Sequence, residues 1–186
     1  MRQRQLEAVI QMHVNKICRI AGAVFALMVT TAQAQESNNR VAAHTDWSVF
    51  EANDPKQCWS VSAPKETVNT KDGRVVAVRR GDILLFVSFI PGSNVSGQVS
   101  FTGGYPFNDG STVTMDIGGT KFELFTEGEM AWSASDSDDA KIVTALKRGS
   151  EAVLVGVSSR GTKTEDTFSL FGFTAAVEEA EKRCSG

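Results

Sequence analysis

The chain has 186 residues, 41% of them hydrophobic and 22% charged, with a net charge of −3 at neutral pH, a composition of globular rather than disordered chains. An acidic chain without a basic run has no means of recruiting phosphate backbones by counterion release or of adhering to anionic lipid, so nucleic acid and charged membrane surfaces are not expected partners.

The N-terminus reads as an export signal. Arg2, Arg4, Lys16 and Arg19 precede the apolar run Ile20 to Val29, and Ala32-Gln33-Ala34 places small residues where a signal peptidase cuts, so cleavage is expected after Ala34. The apolar run is about half the roughly 20 residues that a spanning helix requires, so no membrane insertion is expected after cleavage. Removing residues 1–34 takes four basic side chains and one acidic one, and moves the net charge from −3 to about −6. The remaining length of about 150 residues suits one domain, large enough to bury about two thirds of its unfolded surface.

Residues 35–45 are polar and lack an apolar period, and read as a flexible leader, so the single domain is expected over 46–186. Period-two or β-branched runs then predict strands at Trp47–Phe50, Cys58–Ser62, Arg74–Arg79, Ile83–Ile90, Gln98–Phe101, Thr112–Ile117, Lys121–Thr126, Met130–Ser133, Ala152–Ser158 and Thr167–Phe171. Turn signals separate them, among them Lys71-Asp72-Gly73, Pro91-Gly92, Asn108-Asp109-Gly110 and Gly118-Gly119. Arg80-Gly81-Asp82, a tripeptide with an adhesive reading when displayed on a loop, is taken as one more turn. The polar stretch Ser158 to Thr167 is taken as a hairpin loop with cross-strand threonines. Two helices interrupt the strands. The first is capped by Asp138 or Asp139 and closed by Lys147, Arg148 and Gly149, and the second runs from about Thr174 to Arg183 with Ala176, Val177 and Ala180 on one side. The expected fold is mainly β: an antiparallel sandwich or barrel-like domain with one short internal helix and a C-terminal helix.

Of three cysteines, Cys18 leaves with the signal. Cys58 and Cys184 survive into an oxidising space, where pairing is expected; buried free thiols or an intermolecular link are the alternatives. A redox role would need two neighbouring cysteines of lowered pKa, and no such pair is present in the sequence.

The residues predict no catalytic, metal-binding or cofactor-binding constellation. His13 leaves with the signal and His44 falls in the leader, so histidine triads and histidine zinc sites lack their imidazole. Asp136-Ser137-Asp138-Asp139 fails the twelve-residue calcium pattern, because Lys141 and Lys147 stand where Gly and Glu are needed, and it reads as a helix cap. Glu123, Glu127 and Glu129 read as solvated acids near a hairpin. Trp47, Trp59, Trp132, Tyr105, Phe101 and Phe107 are expected in the core; an exposed aromatic cluster would instead mark a binding surface.

Phe168-Ser169-Leu170-Phe171-Gly172-Phe173-Thr174-Ala175-Ala176 resembles the Ser-Leu-x-Gly-Phe-Thr-Ala-Ala ending of the invasion-associated locus B family, and Asp46-Trp47-Ser48-Val49 resembles its opening. Cys58 falls where that family commonly has an early cysteine. The resemblance implies a small exported β-rich protein of alphaproteobacteria, linked in pathogens to host-cell entry and without an agreed catalytic activity. Family members often carry a further cysteine pair in a hairpin, where this chain reads Phe122 to Trp132 with no cysteine. The expected function is therefore a non-enzymatic binding protein, periplasmic or secreted, with an unknown protein or envelope component as partner and no cofactor. The alternatives are a hydrolase of envelope material using Glu127 and Glu129 or Asp136 and Asp138, and a small-ligand carrier, which would need an apolar pocket.

Overall fold

A computed structural model describes residues 39–185. The expected signal segment, with its apolar run and Ala34, and the early part of the leader lie outside the described residues.

Among the described residues twelve strands form one antiparallel sheet. They are β1 (Arg40–His44), β2 (Trp47–Asn53), β3 (Lys56–Ser62), β4 (Glu66–Lys71), β5 (Arg74–Val75), β6 (Leu84–Ile90), β7 (Val95–Thr102), β8 (Thr112–Ile117), β9 (Thr120–Glu127), β10 (Met130–Trp132), β11 (Glu151–Val157) and β12 (Lys163–Ser169). Helix α1 (Asp136–Arg148) separates β10 from β11, and α2 (Phe173–Cys184) ends the fold. The spatial order is β1-β2-β3-β6-β7-β10-β9-β8-β11-β12-β4-β5. The sheet coils until the start of β2 meets the end of β12, where the Asp46 amide donates to the Phe171 carbonyl and the Trp47 indole N–H to the Ser169 carbonyl at 2.9 Å. No ladder joins the two edges, so the architecture is barrel-like without closure.

Alternation decides which side chains enter. In β6, all seven residues but Ser88 are apolar, yet only Leu85, Val87 and Phe89 are buried, while Leu84, Phe86, Ser88 and Ile90 face outward. The inward residues of both halves of the sheet meet in one core, with Phe101 of β7 edge-on to Phe168 of β12 at 6.1 Å. Helix α2 covers the inner face of β2, β3 and β6 with Phe173, Ala176, Val177 and Ala180, and Phe173 meets Trp47 edge-on at 4.8 Å. Cys184 at its end is bonded to Cys58 of β3, with their Cα atoms 5.9 Å apart and 126 positions between them in sequence.

Several boundaries differ from expectation for identifiable reasons. Arg40–His44 is not leader but the edge strand β1, paired with β2, so the ordered fold begins ahead of Asp46. Its own period is weak because an edge strand with few inward residues carries little apolar signal. Strand β4 was not foreseen: it is polar and largely exposed. The run Arg74–Arg79 is a strand only at Arg74–Val75, after which residues 76–83 cross irregularly to β6 while Arg80 turns inward. The polar stretch after Ser158 is mostly strand β12, and its loop is only residues 158–162, because Thr164, Asp166 and Phe168 alternate inward with the core. The cap of α1 is Ser135, whose hydroxyl accepts from the Asp138 amide; Asp139 is buried instead, accepting from the Val99 amide at 2.7 Å and tying α1 to β7. Gly149 ends α1 in extended backbone, where a β-carbon would lie 2.8 Å from Ile117 and 2.9 Å from Leu170.

Candidate functional site

The outer face of β2, β3, β6, β7, β10 and β9 carries a band of half-exposed apolar side chains, interrupted by the small side chains of Ser88 and the buried Ser100. Because facing residues on paired strands share a side, the register lines up Val61, Phe86, Ser100, Trp132 and Phe125 in one row across five strands. A parallel row joins Phe50 to Trp59, stacked at 5.6 Å with their planes 6° apart. Trp132 and Phe125 stack at 5.6 Å across the β9–β10 hairpin, and Phe125 is 47% exposed. Trp59, Phe86, Ile90 and Met130 surround a shallow hollow of about 240 Å³ floored by Ser88 and Ser100.

Among the described residues both helices lie on the inner face, and neither covers this band. The rest of the outer face differs. On β11, Val153 sits between Asp116 and Thr167, and Val155 between Thr114 and Glu165, so polar neighbours interrupt every apolar residue. The apolar band has an acidic border: Glu123 and Glu127 flank Phe125 on β9, and Glu127 pairs in register with Met130. Among the described residues neither Glu127 nor Glu129 is in an ion pair.

A second concave region lies where residues 76–83, the β7–β8 loop and the β11–β12 loop converge, a cleft of about 270 Å³. Its wall is built on Arg80 and Asp166, whose guanidinium and carboxylate meet through two bonds of 2.7 and 2.6 Å. Burial pushes the Asp166 carboxyl above its ordinary value, and the Arg80 guanidinium opposes that shift. Arg80 also donates to the Gly103 carbonyl at 2.8 Å and lies 5.0 Å from the Tyr105 ring centre. The chain approaches itself closely there: the Gly81 amide donates to Gly104, where a β-carbon would come within 2.6 Å of the Gly81 carbonyl oxygen. Tyr105 bonds to the Thr164 hydroxyl, and burial raises the pKa of its phenol.

The residues singled out in the sequence therefore separate. Trp47, Phe101 and Phe107 belong to the core, Trp59 and Trp132 to the outer band, and Tyr105 to the cleft. Arg80 of the Arg-Gly-Asp turn is 6% exposed, which removes it from adhesive display. Glu123 accepts from Thr112 and Thr114; Asp138 is paired with Lys141 at 2.9 Å, which together with Ser135 holds its carboxyl below the ordinary aspartate value. Of Glu127, Glu129, Asp136 and Asp138, only Glu129 borders the cleft. His44 reaches Glu179 of α2 at 2.6 Å. Among the described residues no three His, Cys, Asp or Glu side chains gather as a metal site, and no helix is long and apolar enough to cross a membrane. Phe50, Phe86, Phe125 and Met130 were not singled out in the sequence, although outward alternation in β6 and β9 is the signal that could have found them.

The family model for invasion associated locus B (IalB) protein matches residues 49–181. The chain belongs to the IalB family. A crystal structure of invasion associated protein B from Bartonella henselae superposes with a TM-score of 0.52 over 78% of this chain and 98% of that one, at 17% identity, and so shares the fold. No curated protein matches the chain. The two stretches that resemble the family's opening and ending meet in the structure: Trp47, just ahead of the matched residues, packs on Phe173, and Gly172 starts α2 at φ +90°, where a β-carbon would lie 1.9 Å from the His44 carbonyl oxygen. This IalB member uses a glycine there because no side chain fits.

Proposed function

We propose that this IalB-family chain is an exported, non-catalytic binding protein of the bacterial envelope, released from its signal after Ala34, that docks a protein partner on the outer face of β2, β3, β6, β7, β10 and β9. The observation that carries this reading is the uncovered row Val61, Phe86, Ser100, Trp132 and Phe125. Half-exposed aromatic side chains gathered on one uncovered face, here Phe86, Trp132 and Phe125, are a common mark of a protein interface, where such residues supply most of the binding energy. The acidic border at Glu123 and Glu127 specifies the partner's chemistry: an apolar centre with a lysine or arginine rim. Export is supported by the Cys58–Cys184 bond, which persists in oxidising compartments. A carboxylate hydrolase would need two acids across a cleft, about 5 to 10 Å apart, and Glu129 borders the cleft without Glu127, Asp136 or Asp138.

A photoreactive side chain placed at Phe125, and separately at Glu165 on the other half of the sheet, tests the reading in cells making the full chain. The expected result is an adduct with one other protein from position 125 only, abolished by Phe86→Glu and weakened by salt with the purified partner. Adducts only between copies of this chain, an adduct that survives Phe86→Glu, equal labelling from both positions, or none would overturn it. N-terminal sequencing of the exported form should begin at Gln35.

A further inference from the structure

The cleft beside the Arg80–Asp166 pair lies away from the apolar band and has a different chemistry. Arg79 and Arg160 both line it, and both are exposed. Among the described residues neither takes part in an ion pair, although the chain as a whole is acidic. The two cations come from separate segments, the crossover before β6 and the β11–β12 loop, so the fold brings them to one cavity. The third arginine there, Arg80, is consumed by Asp166, and this pair holds the segment in place. Tyr105, Ser158, Ser159, Thr162 and Thr164 line the same cavity.

We propose that this cleft binds a small solute through an oxyanion, carboxylate or phosphate, held between the guanidinium groups of Arg79 and Arg160. Guanidinium presents paired N–H donors that match the oxygens of both groups. At about 270 Å³ the cavity is at the lower end of ligand sites, which limits the solute to a small molecule. Glu129 is the free carboxylate at the rim, and it repels a second negative charge, so the part of the solute facing it is neutral or cationic. Ser159 offers a hydroxyl donor to the anionic end. The cleft is built on rigid supports: Gly81 against Gly104 on one side, and Gly156, where a β-carbon would lie 2.9 Å from Phe107 and 3.1 Å from the Tyr105 hydroxyl, beneath.

Amide NMR titration of the exported form with sodium acetate and, separately, with inorganic phosphate tests this. Saturable shifts at residues 79, 105 and 158–162 are expected with at least one probe, and the probe that saturates at lower concentration identifies the group. The double variant Arg79→Gln/Arg160→Gln should bind at least about tenfold more weakly, since each lost charged hydrogen bond accounts for that factor or more. Arg148→Gln at the end of α1 should change nothing. Both substituted arginines are exposed, so an unchanged thermal midpoint accompanies the loss. Absence of saturable shifts with both probes, shifts spread over the surface, or undiminished binding by the double variant would overturn the proposal.

Discussion

Arg80 and Asp166 lie 86 positions apart in sequence, yet they meet through two charged hydrogen bonds with Asp166 fully buried. The pair joins the irregular crossover before β6 to the inner side of β12, and so connects opposite halves of the coiled sheet.

Removing one partner should be severe. Asp166→Ala leaves a buried guanidinium without a counter-charge, and urea unfolding should show a loss of about 3 to 5 kcal/mol. Glu165→Ala, one position away on the outer face, removes only an exposed pair with Lys163 and should leave the midpoint in place. Equal effects of the two variants would refute the assignment of Asp166 as the structural member.

Reducing the Cys58–Cys184 bond opens a loop spanning 126 positions. On the chain-entropy view such a bridge stabilises by about 4 to 5 kcal/mol, a large share of a domain's net stability. Denaturant unfolding with and without reductant should separate by an amount of that order, and Cys184→Ser should match the reduced protein.

Gly172 and Gly110 both adopt positive φ, +90° and +70°, but only Gly172 is crowded by another segment. Gly110→Ala should cost about 1 kcal/mol from backbone strain alone. Gly172→Ala adds a collision with the His44 carbonyl that forces β1 away from α2, and should cost clearly more, with β1 amides losing exchange protection. Similar losses at the two sites would count against the packing described.

Acid should act unequally on the two helices. Lys56, then Arg183, holds Glu51 below its ordinary value, and Arg183, then His44, does the same for Glu179. Such carboxylates contribute stability above the ordinary glutamate pKa and lose it as pH falls through their depressed values, in the range below about pH 4. Burial raises Asp139, opposed by its bond from Val99, so its contribution is present below the ordinary aspartate pKa and is lost as pH rises through the raised value. Amide protection measured from pH 6 to pH 3 should therefore fall in α2 around Glu179 and Arg183, and should fall less in the first turn of α1, where the depressed Asp138 loses its contribution with acid while the raised Asp139 keeps its own. A uniform fall in both would contradict this.

Much of the fold was legible because its cause is local. Alternation in β6, β8 and β9, and the glycine turn joining β8 to β9, follow from a two-residue repeat and from which residues tolerate positive φ. The polar edge strands β1 and β4 were not legible, since a strand with little buried surface carries no apolar period.

Local pattern was enough for a mainly β domain with two helices, for two cysteines available to pair, and for the resemblance of Phe168 to Ala176 to the family's ending. It took the packing of distant segments to make Arg80 a buried partner rather than a displayed turn residue, to make Asp139 an interior acceptor rather than a cap, and to bring Phe86, Trp132 and Phe125 into one outer row. Each of these depends on strand order and register between segments distant in sequence, and a periodicity read along one segment carries no information about which other segment will face it.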